Sequence, residues 1–142
     1  MANYKHFEEG FFFGPQPAEQ DLSEAKREGI RAVIDMRMPS ETATPNAGLV
    51  ENCGLHYINI PVSKTALSAR QIDEFDAALR KNEGPYLLHC ATGTRAAMLL
   101  ALSRARQQGW AAERTFQEAE TMGYNLENFP EFAAFVRKTT AQ

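Results

Sequence analysis

The chain has 142 residues, about one domain's length, and its 44% hydrophobic and 23% charged residues are typical of a globular protein rather than a disordered or fibrous one. Fifteen Lys and Arg against eighteen Asp and Glu give a net charge of −3, so no basic field indicates a nucleic-acid or anionic-membrane partner. Two cysteines are too few for a disulfide scaffold, and no apolar segment has the length of a membrane span or a leader. We therefore expect the protein in the reducing cytoplasm. Its length leads us to expect a single domain over 1–142.

The N-terminal half is predicted to open with a short aromatic strand that a proline-containing turn ends. A helix then runs from Pro17 to Gly29, where glycine can stop it in a left-handed conformation. The next strand is apolar almost throughout, which is typical of a strand buried on both faces. A loop over 39–46 and a short helix ending at Cys53 precede one more strand. The strands predicted in this half are Phe11–Phe13, Ile30–Met36 and Leu55–Ile60.

The C-terminal half is predicted to contain the central helix of the fold. Ser68 and Gln71 fit a capping box that opens one helix, and a Gly-Pro pair ends it before the strand Tyr86–His89. The helix Thr94–Gln108 is apolar nearly all round at its start, which indicates a buried position. A last helix is predicted to face the core with one stripe of residues: Phe129, Phe132, Ala133 and Val136.

Strands that alternate with helices predict an α/β fold, a mostly parallel central sheet with helices on both faces. The carboxyl ends of parallel strands meet at one edge of such a sheet, and ligands bind there. Arg37 ends one predicted strand and Lys64 follows another, so both are candidates for the rim of a pocket at that edge. A surface ion pair for Arg37 and a solvated position for Lys64 are the alternative interpretations.

The segment between the strand Tyr86–His89 and the central helix carries the chemistry. The strand ends in His89 and Cys90, a turn follows, and Arg95 lies in the first helical turn. Main-chain N–H groups of the turn and of the helix start converge there on a small anion-binding volume, to which the helix dipole adds positive charge. The residues of this predicted anion-binding loop are Ala91, Thr92, Gly93 and Thr94.

Cys90 is the predicted nucleophile of this segment. A thiol at the bottom of a ring of N–H donors loses its proton easily, and the thiolate is the reactive form. Arg95 supplies a fixed fork of donors for an oxyanion, and His89 is expected to orient the loop and help to hold its charge. The alternative is that Cys90 is only a small buried residue at a strand end.

The His-Cys, loop, Arg pattern resembles the signature of cysteine-dependent phosphatases. More narrowly, the chain resembles the phosphatase-like domain of the bacterial beta-lactamase-hydrolase-like family. The resemblance implies a dual-specificity-phosphatase-like fold with a phosphate-binding P-loop, Cys90 as nucleophile and Arg95 as anion clamp. The matching pieces, which follow one another along most of the chain, are Gly14-Pro15-Gln16-Pro17, Gly29-Ile30, Val33-Ile34-Asp35 with Arg37, Ile60-Pro61-Val62, His89-Cys90 with Gly93-Thr94-Arg95, and Gly123-Tyr124-Asn125-Leu126.

Three departures from the phosphatase pattern bear on the reaction. Four residues, not five, separate Cys90 from Arg95, which is the length of the loop in rhodanese-type sulfurtransferases. The segment 63–67 after Val62 lacks the Asp that serves phosphatases as general acid, a loss that typically costs 10²–10⁴ in rate. Ala96 stands where phosphatases usually carry Ser or Thr. Sulfur transfer needs no such acid, because a thiolate or sulfite leaves without a proton.

We therefore rank sulfane-sulfur transfer first, through a Cys90 persulfide that takes sulfur from thiosulfate or a persulfide and passes it to a thiol or cyanide. Phosphomonoester hydrolysis through a Cys90 phosphocysteine is the alternative, and a catalytically silent anion- or partner-binding module is the third hypothesis. The expected partner is a small anionic substrate. Cys53 is interpreted as a structural thiol rather than a resolving one. No metal site, cofactor or oligomeric state is indicated.

Overall fold

The computed structural model describes residues 4–8, 10–41 and 46–140. The described residues contain five strands, which are β1 Lys5–Phe7, β2 Phe11–Gly14, β3 Ala32–Asp35, β4 His56–Asn59 and β5 Tyr86–His89. They also contain six α-helices, which are α1 Glu19–Arg27, α2 Asn46–Asn52, α3 Ala69–Lys81, α4 Thr94–Gln108, α5 Ala112–Thr121 and α6 Pro130–Thr139. Short 3₁₀ turns lie at Pro39–Glu41 and Leu126–Asn128.

The strands form one sheet in the order β1-β2-β5-β3-β4, in which β2, β5, β3 and β4 are parallel. Only β1 is antiparallel, and it pairs with β2 as a hairpin. The sequence did not predict β1, because a three-residue strand that begins with two polar residues has no readable period. The carboxyl ends of the four parallel strands therefore meet at one edge of the sheet.

Helices cover both faces of this sheet, as predicted. Side chains alternate along each strand, so Val33 and Leu87 face the smaller core beneath α1 and α2. Ile34 and Leu88 face the larger core, which contains the buried residues of α3, α4, α5 and α6. The central helix α4 is buried along most of its length, which explains its apolar start.

Local sequence signals account for several element boundaries. The Ser68 side chain accepts a hydrogen bond from the Arg70 N–H, and Gln71 bonds back to the Ser68 N–H at 3.0 Å, so the predicted capping box opens α3. In the predicted loop 39–46, a 3₁₀ turn covers Pro39–Glu41, residues 42–45 lie outside the described residues, and Asn46 already begins α2. No helix in the described parts of the chain is long and apolar enough to cross a membrane.

The predicted inward stripe of the last helix needs one correction. Phe132, Ala133 and Val136 are buried, but Phe129 is 44% exposed and lies just before α6 as its N-cap residue. Pro130 takes the first helical position, where its missing N–H costs no helical hydrogen bond. The helix therefore begins one residue after Phe129, whose ring points away from the core.

Candidate active site

The turn between β5 and α4 folds around the Cys90 sulfur. Gly93 donates its main-chain N–H to the Cys90 Sγ at 3.0 Å, and Cys90 itself is fully buried. Gly93 is also the N-cap residue of α4, so the unpaired N–H groups of the first helical turn open toward the same loop. The sulfur thus contacts a main-chain N–H at the start of α4 and is not in contact with the hydrocarbon core alone.

Gly93 is required at its position for two separate reasons. Its φ of 98° lies in the left-handed region, which residues with a Cβ rarely adopt. A Cβ there would also overlap the Tyr124 hydroxyl and lie 3.2 Å from the Cα of Gly14. The Tyr124 hydroxyl donates a hydrogen bond to the Thr92 carbonyl at 3.0 Å, so this tyrosine holds the loop from the side of the C-terminal helices.

Arg95 connects the loops that follow three different strands. Its Nη1 donates to the Glu41 Oε1 at 2.6 Å and to the Val62 carbonyl at 2.8 Å, and its Nη2 donates to the Glu41 Oε2 at 2.7 Å. A guanidinium has five N–H donors. These contacts leave Nε and one hydrogen of Nη2, which share one edge, for an anion or for the Cys90 sulfur.

Charge stabilises this arrangement. The pKa of Arg95 is raised by its hydrogen bonds to Glu41 and further by the charge and hydrogen bonding of Cys90. The same hydrogen bonds from Arg95 hold the pKa of the Glu41 carboxyl below its ordinary value. Glu41 is therefore ionised at neutral pH and carries no proton to donate in this arrangement.

A second ion pair lies behind the loop and corrects the expectation for Arg37. Arg37 is 2% exposed, and its Nε and Nη2 each donate to a carboxylate oxygen of Asp35 at 3.0 Å. Tyr57 donates to the same carboxylate at 2.7 Å. Asp35, two residues earlier in the chain, holds the Arg37 side chain inside the protein, so Arg37 does not line the cavity above the Cys90 loop that is described below.

His89 is likewise buried beside Asp35, with 3.8 Å between its Nδ1 and the carboxylate Oδ1. Burial lowers the pKa of His89 to about 4, an effect that the nearby Asp35 charge only partly offsets. His89 is therefore neutral at pH 7. As a neutral imidazole it adds no positive charge to the loop, and its position directly before Cys90 agrees with a role in orienting the loop.

A cavity of about 440 Å³ opens above the loop. Lys64, the candidate rim residue, lines this cavity, and so do two residues of the predicted anion-binding loop, Thr92 and Thr94. Glu41 is the only carboxylate among its described lining residues. The lining residues are Met38, Ser40, Glu41, Ser63, Lys64, Thr92, Thr94, Arg95, Phe129 and Phe132. A polar, cationic side and an aromatic side therefore share one cavity.

Cys53 lies away from this site. It directly follows α2 and packs against the smaller core, whereas Cys90 belongs to the larger core on the opposite face of the sheet. Both thiols are free. Because the sheet separates the two cores, the arrangement favours the structural interpretation of Cys53.

A comparison with known protein families shows which family the chain belongs to. Residues 3–107 match the family model of the beta-lactamase hydrolase-like protein, phosphatase-like domain. The chain belongs to this family. The matched region contains the Cys90 loop, Arg95, Glu41 and Lys64, and it ends before α5.

Similar proteins agree with this family. The beta-lactamase hydrolase-like protein of Xylella fastidiosa (strain Temecula1) is 34% identical over 93 residues, which are 62% of this chain and 22% of that protein. The chain thus matches about a fifth of the length of this relative, and the expected single-domain organisation stays a prediction. A candidate phosphatase from Neisseria meningitidis superposes with a TM-score of 0.77 at 26% identity, over 96% of this chain and 99% of that one.

More distant structures share the fold. A candidate phosphatase from Shewanella putrefaciens gives a TM-score of 0.79 at 23% identity, over 96% of this chain and 88% of that one. P. aeruginosa TpbA, solved in complex with phosphotyrosine, gives 0.73 at 17% identity, over 95% and 83%. The comparisons confirm the expected family and the α/β fold that cysteine phosphatases share.

The sequence analysis missed three residues of the site. Glu41 follows β3 at the same sheet edge as Cys90, so the rule that ligands bind beyond the carboxyl ends of strands offered a signal for it. Tyr124 belongs to a segment that the family resemblance included, but no role was assigned to it. Phe129 gave no local signal, because its contact with the cavity depends on where α6 packs.

Proposed function

We propose that this domain is a phosphomonoesterase in which Cys90 forms a phosphocysteine intermediate and Arg95 binds the phosphate. The observation that carries the proposal is the position of the Cys90 sulfur, 3.0 Å from a loop N–H at the start of α4, beside the guanidinium edge of Arg95 that Glu41 leaves free. This arrangement offers main-chain donors, a helix dipole and a planar cation to one tetrahedral anion.

Each group has one task in the reaction. The Cys90 thiolate attacks phosphorus, so that an S–P bond forms while the ester P–O bond breaks and the leaving oxygen takes the electron pair. The loop N–H groups and Arg95 stabilise the charge on the phosphoryl oxygens. Water then attacks the phosphocysteine, which releases inorganic phosphate and restores the thiolate.

The comparisons support phosphate chemistry better than the sulfur transfer that was ranked first. The family is phosphatase-like, and one protein of the same fold binds phosphotyrosine, a small phosphate ester. Sulfur transfer receives no support from them. Two observations keep it as the second candidate, namely the four-residue loop and the lack of a protonated carboxyl among the described lining residues of the cavity.

Side-by-side assays separate the two reactions. We expect the domain to release phosphate from 4-nitrophenyl phosphate and to be inhibited by orthovanadate. Cys90→Ser should lower the rate of phosphate release by a factor of at least about 10³. Arg95→Lys should lower it by a factor of about 10²–10³, because lysine lacks the planar fork of donors. The matched control is Cys53→Ser, which changes the other free thiol and should keep wild-type activity.

Intact-mass measurements identify the adduct on the enzyme. Incubation with the aryl phosphate should add one phosphoryl group to Cys90, and incubation with thiosulfate should add nothing. One added sulfur, absent in Cys90→Ser, together with no phosphate release, would establish sulfur transfer instead. Binding of orthovanadate without any Cys90-dependent turnover would favour the silent anion-binding module.

A further inference from the structure

Phe129 is the only exposed large hydrophobic residue in the described parts of the chain, with 44% of its surface accessible. A single exposed hydrophobic residue is ordinary on a protein surface. The position of Phe129 is what distinguishes it, because the residue lines the cavity above the Cys90 loop. It also lines a smaller pocket that adjoins this cavity and shares Lys64 with it.

The ring of Phe129 is held in place from two sides. Its N–H donates to the Leu126 carbonyl at 3.0 Å, and its own carbonyl accepts the Ala133 N–H at 2.8 Å, so its backbone joins the 3₁₀ turn to α6. The ring of Phe132, a residue that is only 7% exposed, lies 5.8 Å from it, centroid to centroid. The exposed ring therefore has a fixed backbone and a buried aromatic neighbour, which is the arrangement of a preorganised apolar wall.

The apolar wall formed by Phe129 and Phe132 lines the part of the cavity that a bound phosphate leaves unoccupied. A phosphoryl group bound between the Cys90 loop and Arg95 directs the rest of its ester into the cavity, whose volume of about 440 Å³ lies in the range of small-molecule sites. Lys64 adds a cation at the rim for the anionic end of the substrate. The organic group thus meets the two phenylalanine rings.

The chemistry of the leaving group also favours an ester whose organic group is aromatic. Glu41, the one carboxylate on the described cavity lining, is bound through both oxygens to Arg95. A reaction in which this carboxylate donates no proton favours oxygens that leave readily as anions. A phenol, with a pKa near 10 as in tyrosine, leaves far more easily than an alkyl alcohol, whose acidity is close to that of water at about 15.7.

We propose that Phe129, backed by Phe132, selects phosphate esters of aromatic alcohols by stacking against their ring, an inference that rests on the proposed phosphatase function. Phe129 lies outside residues 3–107, the region that matches the family model. The loop and Arg95, which lie inside that region, bind the phosphate, and the C-terminal segment of this chain supplies the selectivity.

Competitive inhibition by phosphonates tests this selection without any leaving group. Against wild type, we expect benzylphosphonate to bind about tenfold more tightly than methylphosphonate, which corresponds to one aromatic contact. Phe129→Ala should remove this preference and leave the affinity for inorganic phosphate unchanged. Phe129→Trp should keep it, and Phe129→Leu should reduce it, because leucine retains bulk without an aromatic face.

The matched control is Trp110→Ala, which removes a partly buried aromatic residue that packs against Arg114 and does not line the cavity. It should leave the benzyl preference intact. Equal affinity of wild type for the two phosphonates, with inorganic phosphate bound, overturns the role of Phe129 while the proposed function stands. Failure of wild type to bind inorganic phosphate or orthovanadate overturns the proposed function itself.

Discussion

The buried layer beneath the cavity, which we call the floor, and the rim of the cavity differ sharply in how they are built. The floor, which we define as Asp35, His89, Cys90 and Gly93, is buried, and main-chain N–H groups donate to the Asp35 carboxylate and to the Cys90 sulfur. The rim, which we define as Glu41, Lys64 and Phe129, is partly exposed and comes from three separate segments. The proposed reacting groups are therefore held within the core of the fold, whereas the residues proposed to select the substrate lie at its surface and contact the core from one side only.

The floor is expected to be sensitive to acid, which gives the largest predicted effect. Because the pKa of His89 is lowered from 6.5 to about 4 in the folded state, the unfolded chain binds more protons between these values. The free energy of unfolding should therefore fall as the pH is lowered from about 6.5 to about 4, by about 3 kcal/mol for this residue. Urea unfolding at a series of pH values measures the slope.

The control for this titration uses a second histidine. His89→Asn should lose most of the slope between pH 6.5 and 4, because the buried imidazole is gone, whereas the exposed His56→Asn should keep the wild-type slope. Asp35, Arg37 and Cys90 are the charged or titratable groups that influence His89 or adjoin it, and all three remain in both variants. An unchanged slope in His89→Asn would show that folding does not lower the pKa of His89.

The floor should also be destabilised by any side chain at position 93, where the protein has Gly93. Gly93→Ala forces a Cβ into the left-handed region and against the Tyr124 hydroxyl, so we expect a loss of about 2 kcal/mol in the free energy of unfolding and a large fall in activity. Gly48→Ala is the matched control, since a Cβ there meets nothing within 4 Å and alanine suits a helix. Chemical denaturation compares the two variants, and equal stability would contradict the steric argument.

The rim should respond more weakly. Glu41→Gln removes the charge that orients Arg95, and we expect kcat/KM for an aryl phosphate to fall about tenfold, with weaker binding of inorganic phosphate and unchanged thermal stability. Glu74→Gln, which breaks an exposed pair with Arg70, serves as the control and should have no effect. Tighter binding of phosphate in Glu41→Gln would instead mean that Glu41 competes with the substrate for the guanidinium.

Much of the floor was predictable from local patterns. The strand Tyr86–His89 and the helix Thr94–Gln108 have the predicted bounds, because an apolar run, a glycine turn and a helix start follow one another within a few residues. Cys90 and Arg95 therefore needed only short-range information. Their identification as a reactive pair depended further on the family resemblance, which the matching family model supports.

The rim and the ion pairs needed tertiary structure. Arg37 and Glu41 were both visible as charged residues after a strand, but their partners could not be assigned, because a guanidinium takes whichever carboxylate the folded chain brings closest. Asp35 holds Arg37 inside, and Glu41 reaches Arg95 across 54 positions of sequence. The same holds for Phe129, which joins the cavity only through the packing of α6.

The sequence by itself determined the parallel α/β architecture and placed Cys90 and Arg95 in one strand-to-helix turn, because apolar periodicity and glycine turns act over short stretches of chain. The resemblance of its motifs, rather than these patterns, indicated the family. The tertiary structure alone decided which charges pair, that His89 is neutral, and which aromatic ring faces the cavity. Burial and contact between distant segments set these properties, and neither is encoded in the order of neighbouring residues.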